Sequence, residues 1–132
     1  MDVTNATQVA QVAHRIVAAG SAIDVLIHSA GINNGTMQRQ MDVNAVAPFR
    51  IVDAFMPALL RSQHARVCII TSDRGSRYYV NRFKKRFRRK CKSVAYCAYA
   101  LSKGAAHDTF RRLEPAWRER GITAAVLHPG GV

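Results

Sequence analysis

The apolar positions change period several times along the chain, and each change marks an element. From Ala6 to Ala19, Val9, Val12, Ala13, Ile16 and Val17 recur on one helical face, with Thr4 or Asn5 available as N-cap and Gly20 as terminator. An amphipathic helix is predicted there. Ile23–Ile27 (IDVLI) is a short apolar run that predicts a buried strand. It leads into His28-Ser29-Ala30-Gly31, where small residues let another backbone or a ligand come close. Gly31–Thr36 is rich in turn formers, and helical spacing then returns at Met41, Val43, Val46, Phe49, Ile51, Val52, Phe55 and Leu59. Pro48 and Pro57 predict a kink or a division within that stretch. Arg66–Thr71 and Ile122–Leu127 read as two further buried strands, and Tyr99–Arg118 as a long helix between them.

Apolar strands alternating with amphipathic helices predict a doubly wound α/β arrangement, with parallel strands covered on both faces. Ligands of such sheets gather at the carboxyl ends of the strands. Ser29–Gly31, Ser72 and His128–Gly130 all fall there.

At 132 residues the chain suits one domain, spanning 1–132, with a single core. The net charge of +12 changes that picture only locally. Arg82–Lys92 holds 8 of the 20 lysines and arginines and no acid, which leaves +4 for the rest of the chain. Three cysteines without a C-x-x-C pair predict reduced thiols and no structural disulfide. No export leader and no run of 18 apolar residues is present in the sequence, so the expected setting is cytoplasmic, without a transmembrane segment. The five histidines show no paired ligand spacing with the cysteines, and no metal site is expected. His28 reads as a packed core histidine.

Tyr99 and Lys103 carry the chemistry that stands out. Four apart on a helix, they share a face about one turn apart. An ammonium so placed favours the phenolate over the phenol, which suits proton exchange. The pair alone is a weak motif, because both residues are common on helices.

The order of several matches makes the resemblance specific. Asp2-Val3-Thr4, Ser29-Ala30-Gly31, Val43-Asn44, Thr71-Ser72, Tyr99-x-x-x-Lys103 and Pro129-Gly130 together resemble the short-chain dehydrogenase/reductase family. The resemblance implies an incomplete Rossmann-like doubly wound parallel sheet, lacking parts of the family pattern at both ends. It also implies an oxidoreductase that interconverts a small-molecule carbonyl and an alcohol with NAD or NADP. Tyr99 resembles the general acid/base, and Lys103 the residue that holds the nicotinamide ribose and eases ionisation of the tyrosine. Ser72 resembles the serine that hydrogen-bonds the reacting oxygen, and Asn44 the asparagine that supports a water relay from a kinked helix. Asp2 and Val3 resemble the adenine contact, Ser29, Ala30 and Gly31 the close approach to the cofactor, and Pro129 and Gly130 the loop beside nicotinamide. Family members often associate through their helices, so a homo-oligomer is also implied.

The departures are as informative. The family's glycine-rich pyrophosphate turn belongs upstream of Asp2, and without its neighbouring strands the Ile23–Ile27 strand presents an unpaired apolar edge. The stretch between Gly31 and Asn44 is short for the family. Ser72 and Tyr99 are farther apart than in the family, so a basic insert at about residues 74–95 separates them, and Ser76 is a minor alternative to Ser72. Within the insert Tyr79, Phe83, Phe87 and Cys91 recur at four-residue spacing among cations. This opens a second reading: an inactive fragment, or a basic module in which Arg82–Lys92 binds nucleic acid, an acidic membrane or a partner chain.

Overall fold

The computed structural model describes residues 1–76 and 94–130. Helix α1 spans Ala6–Ala18 and is capped by Asn5, whose Oδ1 accepts the Gln8 N–H at 3.0 Å. Gly20, just past the helix, has φ +72°, the left-handed turn that glycine adopts without strain. Strand β1 covers Val25–His28 rather than starting at Ile23, because Ile23 donates its N–H to Ala58 O and joins a helix junction instead.

The helical stretch predicted before Leu60 is three segments. A short α2 (Met37–Met41) runs into a π-helical turn (Asp42–Val46) and then α3 (Ala47–Leu59). The irregularity immediately precedes Pro48, which sits in the first turn of α3 and has no N–H to give to the turn before it. Pro57 lies inside α3 without dividing it. Strand β2 (Arg66–Ile70) is followed by a 3₁₀ turn at Asp73–Gly75. Helix α4 (Val94–Glu119) begins before Tyr99, so the Tyr99–Lys103 pair lies within it, and β3 is Thr123–Leu127. Most of the basic insert, including all of Arg82–Lys92, lies outside the described residues.

The three strands form one parallel sheet in the order β1-β2-β3. Leu26, Val67, Ile69, Ala124 and Val126 turn to one face and pack against α3 and α4, with Val52, Leu59, Phe110 and Trp117 at the centre. Trp117 stacks on Phe49 and meets Phe110 edge-on, two favoured aromatic geometries. Helix α1 joins the same side through Val9, Ala13, Ile51 and Phe55.

The other face departs from the expectation of strands covered on both sides. Side chains alternate along a strand, so Val25, Ile27, Cys68, Ile70, Ala125 and Leu127 point away from these helices. Val25, Ile27 and Leu127 are 52%, 61% and 52% exposed. Among the described residues the helices lie on one face only, and β1 is a sheet edge, as the sequence led us to expect. Among those residues, no helix is long and apolar enough to cross a membrane. Cys97 is disulfide-bonded, against the expectation of three reduced thiols, and Cys68 is free. An odd cysteine count excludes pairing of all three, not of two.

Candidate functional site

The carboxyl ends of the strands open onto a pocket of about 430 Å³. Ser29, Gly31, Ile32, Thr71, Tyr99 and Lys103 line it, with Pro129 on the β3 side. Parallel strands send all three following loops to this end, and the first half of α4 closes over them.

Lys103 is the deepest charge in the site. It is only 4% exposed, and its Nζ donates to Ile70 O at 3.1 Å while lying 5.9 Å from the centre of the Tyr99 ring. Burial pulls its pKa below the ordinary lysine value, because a cation loses hydration there. Gly31 makes this placement possible. A Cβ on Gly31 would stand 3.1 Å from Lys103 Nζ and 3.2 Å from Asn44 Oδ1, tighter than such contacts normally are.

Asn44 lies in the π-helical turn, a distortion common at functional sites. It is 1% exposed. Its Oδ1 accepts the Ile32 N–H at 2.9 Å, and its Nδ2 donates to Ile32 O at 2.7 Å and Ser102 Oγ at 3.0 Å. One amide thus ties the loop after β1 to α4, in register with Lys103.

Ser72 is buried at the start of the 3₁₀ turn. Its hydroxyl donates to Asp73 Oδ1 at 3.1 Å and accepts the Arg74 N–H at 3.3 Å. Ser76 ends the same turn. Asp2 is turned to its own segment: its Oδ1 accepts from the Thr4 N–H and the Thr4 hydroxyl, and these bonds hold its pKa below the carboxylate range. Val3 packs on the α1–α3 cluster. Ala30 is half-buried beside Gly31, and Gly130 is exposed with φ +94°. The pocket therefore gathers Ser29, Gly31, Tyr99, Lys103 and Pro129. Asp2, Val3, Ala30, Asn44, Ser72 and Gly130 are not among its lining residues.

Several contacts here have no counterpart in the sequence reading. His107, one turn beyond Lys103 on α4, shares a 2.5 Å hydrogen bond with Thr71 Oγ1. Its spacing of four from Lys103 was the available signal. The Arg74 guanidinium lies 5.7 Å from the Tyr99 ring centre, a cation–π distance. His128 Nε2 stands 3.8 Å from Asp73 Oδ2. Among the described residues no cluster of three or more potential metal ligands occurs.

His28 is buried, and neither ring nitrogen finds a hydrogen-bond partner. Burial lowers its pKa, and the Lys103 charge adds to the effect. Burial likewise lowers the pKa of His107. For both groups the unfolded chain binds protons more readily than the folded one. Their contribution to stability is therefore full above about pH 6.5 and declines as the pH falls from there toward the folded values. Thermal melts across that range should show the decline, and His28→Leu should make it shallower. Parallel pH dependence in the two proteins would remove His28 as a source of acid sensitivity.

The sequence model described as short chain dehydrogenase matches residues 1–84. C-signal of Myxococcus xanthus is 30% identical over 120 residues, which cover 83% of this chain and 66% of that protein. The 1-hydroxy-2-glutathionyl-2-methyl-3-butene dehydrogenase of Rhodococcus sp. (strain AD45) is 27% identical, covering 100% of this chain and 57% of that one. Among solved structures, NADPH-bound carbonyl reductase from chicken fatty liver superposes with a TM-score of 0.81 at 26% identity, covering 98% of this chain and 56% of that chain. The chain thus spans between about half and two thirds of the length of these relatives.

Proposed function

This chain belongs to the short-chain dehydrogenase family, and from that premise we propose that it interconverts a carbonyl and an alcohol by hydride transfer with NAD or NADP. The observation that carries the reading is the buried Lys103 ammonium beside Tyr99, both lining one pocket at the carboxyl end of the sheet.

In the reducing direction Tyr99 donates its phenolic proton to the substrate oxygen. In the oxidising direction the same oxygen returns the proton to Tyr99. The Lys103 charge stabilises the phenolate that donation leaves behind, and the low-dielectric surroundings strengthen this interaction relative to water. Ser72 is the second hydrogen-bond partner of the reacting oxygen, and Asn44 holds the Ile32 backbone and Ser102 so that the two walls of the pocket stay in register. A bound nicotinamide would supply or accept the hydride. The residues present fit its ribose end: Lys103 offers donors, Gly31 leaves the space a side chain would fill, and Ser29 and Pro129 line the pocket, while Ala30 and Gly130 are proposed for the same end on family likeness. Asp2 and Val3 are proposed for the adenine end on family likeness.

The test is a thermal melt followed by circular dichroism, with and without NADPH or NADH. A ligand at 100 times its dissociation constant adds about 2.7 kcal/mol of stability. A cooperative melt raised by either nucleotide is the expected result. A cooperative melt indifferent to both would overturn nucleotide binding by this chain.

A further inference from the structure

The Ser72 hydroxyl has one proton to give, and it gives it to Asp73. A serine hydroxyl carries one donor and two acceptor sites. Here the donor points at Asp73 Oδ1, 3.1 Å away, and one acceptor site takes the Arg74 N–H. A serine that is to hydrogen-bond a substrate oxygen growing negative must first withdraw from that carboxylate. The charge strengthens this hold, because a carboxylate accepts a stronger hydrogen bond than a neutral group would.

The second carboxylate oxygen of Asp73 is 3.8 Å from His128 Nε2. His128 directly follows β3 and precedes Pro129, which lines the pocket. The Asp73–His128 contact therefore joins the loop after β2 to the loop after β3. Both side chains are about one third exposed, so the pair exchanges readily with water.

We propose that Asp73 is a positioning residue that sets which hydrogen bond the Ser72 hydroxyl makes. The proposal rests on the reading of Ser72 as a partner of the reacting oxygen.

Two substitutions separate charge from hydrogen bonding. Asp73→Asn keeps an acceptor for Ser72 and removes the charge, whereas Asp73→Ala removes both. With NADPH and 2,3-butanedione as probes, both variants should raise kcat, Asp73→Ala by about tenfold, with the KM for NADPH unchanged. A kcat for Asp73→Ala at or below that of the parent chain, as expected for Ser72→Ala, would overturn the proposal. Tyr99→Phe serves as the control. If Tyr99→Phe turns over like the parent chain, the reading of the whole site fails; if it is inactive while Asp73→Ala brings no gain, only the Asp73 proposal fails.

Discussion

Replacing Tyr99 with phenylalanine should abolish turnover while leaving nucleotide binding in place. The substitution removes the phenolic oxygen and keeps the ring that Arg74 and Lys103 approach. A positioned general acid or base contributes roughly 10²–10⁴-fold, so kcat should fall by about that factor. Lys103 remains anchored to Ile70 O in the variant, since that bond does not involve the tyrosine. The nucleotide-induced rise in melting temperature should therefore survive. Lys103→Met is the informative contrast, because it removes the donors proposed for the ribose together with the charge beside the phenol. It should lose both turnover and the nucleotide-induced rise. Turnover by Tyr99→Phe near that of the parent chain would sink the acid/base role. Loss of the nucleotide response in Tyr99→Phe would instead assign the hydroxyl to binding.

What the sequence reveals about this site follows from how local each relationship is. Tyr99 and Lys103 are legible because helical spacing alone puts them on one face. His107 continues that spacing, yet its partner Thr71 lies 36 residues away, and no pattern within α4 names it. Ser72 is identifiable by its place after β2, but the direction of its hydroxyl depends on Asp73 and Arg74 and so is a property of the folded turn. The prolines predict a kink or a division within this stretch without locating it; the π-helical turn falls at Asp42–Val46, just ahead of Pro48, where Asn44 reaches both Ile32 and Ser102. The apolar strands illustrate a different limit. Hydrophobicity along β1 reports that Val25 and Ile27 favour burial, not what buries them. Both stand exposed on the face opposite the described helices.

The second large effect is expected at Gly75, a residue that no motif singles out. A Cβ there would lie 2.4 Å from the Lys103 carbonyl carbon, 2.6 Å from Gly104 N and 2.7 Å from Lys103 O. All three are backbone atoms of α4, so no rotamer change can relieve the collision. Gly75→Ala must push the 3₁₀ turn and the helix apart at the level of Lys103, between the residues proposed to share one oxygen. Overpacking of this kind costs about 1–3 kcal/mol, which lowers the melting temperature by roughly 5–15 °C in a domain of this size. Displacement of Ser72 relative to Tyr99 and Lys103 should also reduce turnover by more than the stability loss explains. Gly104→Ala tests whether the effect is specific to that position. Its Cβ would meet Gly75 O at an ordinary 3.4 Å, and alanine gains roughly 1 kcal/mol over glycine inside a helix. Gly104→Ala should therefore melt near the parent chain and keep its response to nucleotide. A Gly75→Ala protein with unchanged melting temperature and unchanged nucleotide response would show that the turn and α4 are not in the contact on which this arrangement of the site depends.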